Sequence, residues 1–165
     1  MKKSGIHPQH LHVTRRHLPH WQLGGSWYFI TFRSKIGILP TEARTLAAQA
    51  ILFGKGKKYT LSTATVMPDH VHILLRPTES GNGIFHPLGQ ITKSIKGYSA
   101  RTINKLLASS GAVWQKESFD RIVRNEDEWR EKYEYIRNNA VKVGLSERPE
   151  DYQWLLDGDD FIKRW

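Results

Sequence analysis

The sequence predicts an α+β fold built on an antiparallel sheet. Three observations predict it: strand-like and helix-like segments in the order β-α-β-β-α-β, a further helix after them, and one strand in which histidines alternate with apolar residues.

Residues 1–24 read as an irregular basic arm, with Arg15, Arg16, Pro19 and Trp21. Gly24-Gly25 marks a turn, and SWYFITFR over 26–33 is aromatic and β-branched, as strands are. Pro40-Thr41-Glu42 opens a helix running to about Phe53, with Thr41 as the expected cap. GKGKK over 54–58 reads as a basic turn; it lacks the phosphate-loop pattern, so no nucleotide site is assigned there. Two strands follow, over 59–66 and 70–76, separated by Met67-Pro68-Asp69, and then a Gly- and Pro-containing loop over 77–87. In the next helix, 88–107, Leu88, Ile91, Ile95, Tyr98 and Leu106 recur at helical spacing and predict a buried stripe. Residues 118–123 supply a fourth strand. Asn125 then caps a helix through Asn138, with Glu128 at the capping-box position and acids in the first turn, as the helix dipole prefers. This order is the ferredoxin-like arrangement, an antiparallel sheet with helices packed on one face.

Bulk properties narrow the function. A length of 165 residues suits one domain. No apolar run approaches the roughly 18 residues a membrane span needs, and the lysines near Met1 are followed by no apolar stretch, so the expectation is a cytoplasmic protein without a secretory signal. The absence of cysteine excludes disulfides and thiolate metal sites. The net charge of +9 and pI near 9.9 suit a polyanionic partner, although a solvated basic surface has the same signature. His7, His10, His12, His17 and His20 have no regular ligand spacing and read as part of the basic arm.

The segment MPDHVHILL, 67–75, is the most informative. Alternate strand residues share a face, so Val71, Ile73 and Leu75 point into a core while His70 and His72 lie side by side on the other face. Two imidazoles so placed suit one cation if a third ligand comes from elsewhere. The same pair also reads as the polar face of a half-buried strand.

At roughly 100° per residue, Trp129, Tyr133 and Ile136 fall in one narrow stripe of the last helix, and Tyr135 lies about a third of a turn away. Tyr133 is therefore expected to pack and Tyr135 to be available. Asn139 projects beside Tyr135 if the helix continues that far, and its amide oxygen suits a hard cation. A phenol of pKa about 10 is a poor nucleophile at neutral pH, but it can attack a phosphodiester if a divalent ion polarises the phosphate. An amphipathic surface aromatic is the other reading of Tyr135.

The chain resembles the HUH endonucleases and, more closely, the REP-associated tyrosine transposases. The resemblance is carried by SWYFIT (26–31), MPDHVHILL (67–75), SIKGYSAR (94–101), WQKESFDRIVRNEDEW (114–129) and YEYIRNNAVKVGL (133–145). It implies that His70, His72 and Asn139 hold a divalent ion, Mg²⁺ or Mn²⁺, and that Tyr135 is the nucleophile. The implied activity is cleavage and rejoining of single-stranded DNA at hairpin-forming palindromic repeats through a covalent 5′-phosphotyrosine. The implied organisation is a DNA-reading arm (1–24), the catalytic domain (25–145) and a C-terminal tail (146–165), acting as a monomer or homodimer. Ala140 departs from the proline usual in relatives, which puts the helix end in question.

Candidate DNA contacts are Arg15 and Arg16 in the arm and Lys93, Lys96 and Arg101 on the second helix, with Trp21 and Trp114 as stacking rings. Tyr98, placed on the apolar stripe, is set aside as a rival nucleophile. Two alternatives are a replication-initiator-like nicking enzyme, which usually carries further domains, and a domesticated DNA-binding protein that no longer cuts. The intact His70, His72, Tyr135 and Asn139 set argues against the latter.

Overall fold

The computed structural model describes residues 11–14 and 20–158. The chain runs through β1 (Leu11–Thr14), β2 (His20–Leu23), β3 (Trp27–Ser34), α1 (Thr41–Gly54), β4 (Tyr59–Val66) and β5 (His70–Pro77). It continues with β6 (Glu79–Gly81), β7 (Ile84–Phe85), α2 (Leu88–Leu106), β8 (Trp114–Val123), α3 (Glu126–Lys142), a 3₁₀ turn (Pro149–Asp151) and β9 (Leu155–Asp157).

Five strands form one antiparallel sheet in the order β8-β3-β5-β4-β9. β3, β4, β5 and β8 with α1 and α2 make up the expected β-α-β-β-α-β unit. Strand alternation divides the interior in two. Tyr28, Ile30 and Phe32 of β3 and Val71, Ile73 and Leu75 of β5 join the α1 and α2 residues in the main core. On the opposite face, Trp27, Phe29 and Leu74 meet Trp129, Tyr133 and Ile136 of α3. The two faces are thus covered by different helices, and β5 turns His70 and His72 towards α3.

Several local features differ from the sequence reading. The stretch expected to be an irregular arm contains the β1–β2 ribbon, whose four-residue strands are too short to carry a periodic signal. The Gln22 side chain ties this ribbon to α2, accepting from the Leu88 amide at 2.8 Å and donating to the His86 carbonyl at 2.9 Å. Pro40, not Thr41, is the N-cap of α1, and the Thr41 hydroxyl bonds to Glu42 instead. On α2, Tyr98 (45 % exposed) and Leu106 stand outside the stripe, which is Leu88, Ile91, Ile95, Ser99 and Ile103. Ser99 takes a buried place because its hydroxyl donates to the Ile95 carbonyl and accepts from the Trp114 indole N–H at 2.9 Å. Tyr98 is therefore exposed, contrary to the buried place expected for it. Its ring stacks on Phe53, on the α1 and α2 side of the sheet.

β8 begins at Trp114, four residues earlier than expected, and only Arg124-Asn125 separates it from α3. Asn125 caps α3 as predicted, its Oδ1 accepting from the Glu128 amide at 2.8 Å; the Glu128 carboxylate accepts from the Arg124 amide. With Ala140 in place of proline, α3 continues to Lys142. The tail folds back: β9 pairs with β4, the Tyr152 hydroxyl donates to the Val66 carbonyl at 2.7 Å, and Trp154 Nε1 donates to Thr45. Trp165 lies outside the described residues.

Candidate active site

His70 and His72 share the α3 face of β5, their ring centroids 4.7 Å apart. Each ring is held through Nδ1. His72 Nδ1 lies 2.7 Å from Thr31 Oγ1, its register partner on β3. His70 Nδ1 lies 2.6 Å from Asp69 Oδ1. Asp69 is fixed where the β4–β5 turn meets the chain after β3, by bonds from the Ser34 amide to the Asp69 carbonyl and from the Leu39 amide to the Pro68 carbonyl. With both Nδ1 atoms engaged, each imidazole has Nε2 left for a ligand. His72 Nε2 is buried and has no hydrogen-bond partner.

The His72 ring is 6 % exposed, and burial first, then the charges of His70 and Arg33, push its pKa down to about 3. It is a neutral imidazole at physiological pH, the form that coordinates a cation. The hydrogen bond to His70 holds the Asp69 carboxyl below its usual range, so Asp69 is anionic beside that ring.

Tyr135 completes the cluster. Its ring meets His72 edge-on at 5.3 Å and Phe29 edge-on at 6.0 Å, and it remains 44 % exposed. Phe29 in turn stacks on His72 at 5.4 Å. Tyr133, by contrast, is buried and stacked on Trp129 at 5.2 Å, as the helical spacing predicts. Asn139 is buried one helical turn beyond Tyr135. Among the described residues, no three His, Cys, Asp or Glu side chains are gathered as a metal cluster. The donors that the structure brings together are the two imidazoles.

Among the described residues, the expected DNA contacts do not gather here. Trp114, proposed as a stacking ring, is corrected: it is 4 % exposed, its ring packs edge-on against Phe32, and its N–H is bound to Ser99. Lys96 Nζ donates to the carbonyls of Gln115 and Lys116 and to Ser118 Oγ, joining α2 to β8. Lys93 and Arg101 are exposed on α2, across the sheet from the histidines. Arg15 and Arg16 lie outside the described residues, as does the side chain of Trp21.

The sequence reading passed over Thr31, Asp69 and Phe29, which orient or pack the histidines. It also passed over Lys132, whose Nζ lies 5.4 Å from the Phe29 ring. Only the aspartate had a visible signal, directly before His70; Thr31 and Phe29 reach the site through the pairing of β3 with β5, and Lys132 through the packing of α3 on the sheet.

Residues 41–139 match the family described as IS200-like transposases. The REP-associated tyrosine transposase of Escherichia coli (strain K12) is 22% identical over 131 residues, 78% of this chain and 74% of the relative. The solved structure of a REP-associated tyrosine transposase bound to a REP hairpin superposes with a TM-score of 0.64 at 20% identity, covering 81% of this chain and 77% of that one. The likeness to that structure is one of fold. The family match spans more than half of the sequence and includes both site histidines, Tyr135 and Asn139, so the chain belongs to the IS200-like transposase family.

Proposed function

We propose that this protein is a metal-dependent single-strand DNA endonuclease and strand-transfer enzyme in which Tyr135 is the nucleophile. The observation that carries the reading is an exposed phenol ring set edge-on against a buried imidazole whose Nε2 has no partner. A buried polar atom without a partner is costly unless a ligand completes it. His70, His72 and Asn139 would hold a divalent ion, Mg²⁺ or Mn²⁺, and Thr31 and Asp69 would keep the two rings in their coordinating orientation. Bound there, the ion would polarise the scissile phosphate and offset its developing charge.

The rest is performed by the chain. The Tyr135 oxygen bonds to phosphorus as the bond from phosphorus to the 3′-oxygen breaks, and the phenolic proton passes through solvent so that the departing 3′-oxygen leaves as a hydroxyl. The products are a 5′-phosphotyrosine and a free 3′-hydroxyl. Because the ester keeps a phosphodiester-like bond, attack by a 3′-hydroxyl reverses the step and rejoins a strand. Tyr135 faces His72 of its own chain, which supports action by a single protomer. The complex of the related protein with a REP hairpin supports a hairpin-bearing single strand as substrate.

The test is incubation of a labelled REP-hairpin oligonucleotide with single-stranded flanks and Mg²⁺ or Mn²⁺, followed by a denaturing gel. The expected result is a protein–DNA adduct that Tyr135→Phe abolishes. An adduct of undiminished yield from that variant removes Tyr135 from the mechanism. Binding without any nick under either ion would instead favour a DNA-binding protein that no longer cuts.

A further inference from the structure

Phe119 is a large apolar ring left in solvent beside the candidate site. It is 57 % exposed in the middle of β8. Its register partner on β3 is Thr31, which is also the register partner of His72 on β5. Phe119, Thr31 and His72 therefore form one row across three neighbouring strands, on the face that carries the histidines. With strands about 4.8 Å apart, Phe119 stands roughly 10 Å from His72.

Its packing links it to the nucleophile. The Phe119 ring meets Phe29 edge-on at 6.5 Å, and Phe29 also contacts Tyr135 edge-on and stacks on His72. Two exposed rings, Phe119 and Tyr135, thus lean on the same buried ring. The Lys132 ammonium lies over it as well. Edge-on support fixes the orientation of Phe119 while leaving much of the ring open.

We infer that Phe119 is a stacking platform for a nucleobase of the single strand a few nucleotides from the phosphate that Tyr135 attacks. Three features favour a base as the occupant. The Lys132 ammonium, paired at 3.0 Å with the exposed Glu131 carboxylate, can exchange that surface partner for a backbone phosphate, the net charge of +9 suits a polyanion, and a flat ring accepts any base by its π-face. At about 3.4 Å per stacked nucleotide, roughly 10 Å spans about three, so a strand with its phosphate at the histidines reaches this ring. The inference rests on the proposed single-strand reading and adds to it a residue that grips the substrate without entering the chemistry.

The experiment uses the full chain in a Tyr135→Phe background, so that binding is read without cleavage. The probes are REP-hairpin oligonucleotides whose single-stranded flank carries one 2-aminopurine, moved base by base. The expected result is strong fluorescence quenching at one or two positions. Phe119→Ala should relieve it and weaken binding about 5- to 100-fold. Phe119→Trp should restore both, whereas Phe119→Leu, apolar but not flat, should not. Because the ring is exposed, the alanine variant should melt at the temperature of its parent. Unchanged affinity and quenching in Phe119→Ala, while the Tyr135 protein still forms its adduct, would overturn the platform and leave the nuclease reading standing. Absence of both binding and adduct in the unmutated protein would overturn the two together.

Discussion

Thr31 Oγ1 and His72 Nδ1, forty-one residues apart in sequence, lie 2.7 Å apart across the β3–β5 pairing. The hydroxyl occupies one nitrogen of the ring, so the other is the one available for coordination. Thr31→Val keeps the branched shape and removes this partner. The expected outcome is a loss of about 10- to 100-fold in Mn²⁺ affinity, read by calorimetric titration of metal-free protein. Fold stability should fall by about 1 to 3 kcal/mol, because the buried ring nitrogen is left without its partner. Affinity equal to the parent's would show that the bond does not orient the ring.

The two tyrosines of α3 should respond oppositely. Tyr133 is buried on Trp129, with Arg137 beside its hydroxyl. Tyr133→Ala should cost about 3 kcal/mol in urea denaturation. Tyr135→Ala should stay within about 0.5 kcal/mol of the parent, since its ring is largely outside the core, yet abolish the DNA adduct. Equal destabilisation by the two would contradict the division of labour between them.

Trp114 should behave as a core residue. Trp114→Phe removes the bond to Ser99 and should lower stability by about 1 kcal/mol. Affinity for a single-stranded oligonucleotide should be unchanged. A selective loss of DNA binding in a fully stable Trp114→Phe protein would reinstate it as a DNA contact.

Alkaline pH should expose the role of Tyr28. Its hydroxyl accepts from the Leu23 amide and donates to the Leu23 carbonyl, and burial above all pushes its pKa from 10.0 up to about 12. A pKa raised by folding gives stability that is complete below pH 10 and is lost as pH rises towards 12. Between pH 9 and pH 11 this group should therefore remove about 1 kcal/mol. Tyr28→Phe should be weaker at pH 7 but should have a shallower alkaline decline, measured by urea melts across that range. Parallel declines in the two proteins would refute the assignment.

What the sequence disclosed, and what it hid, follows from the range of each interaction. The facing of His70 and His72, the separation of Tyr133 from Tyr135 and the Asn125 cap depend on periodicities within one element, and all three are as expected. Thr31 could not be recognised, because its role exists only once β3 and β5 are in register. Trp114 stands beside the polar residues Gln115, Lys116 and Glu117, and its burial depends on α2 supplying Ser99 from across the core. The same pairing explains why Ser99 took the place that the apolar pattern assigned to Tyr98. β9 was hidden because three residues, LLD, carry no signal until β4 offers an edge.

The mounting of α3 has a kinetic consequence. A two-residue turn joins its start to β8 at one margin of the sheet. Near its end, Arg137 pairs with Asp157 of β9 at the other margin, and Trp129 packs edge-on against Trp27 between them. The ordering entropy of bringing phenol to imidazole is thus incurred when the chain folds, before any oligonucleotide arrives. Once substrate is saturating, adduct formation should proceed as a first-order process whose rate constant does not vary with protein concentration.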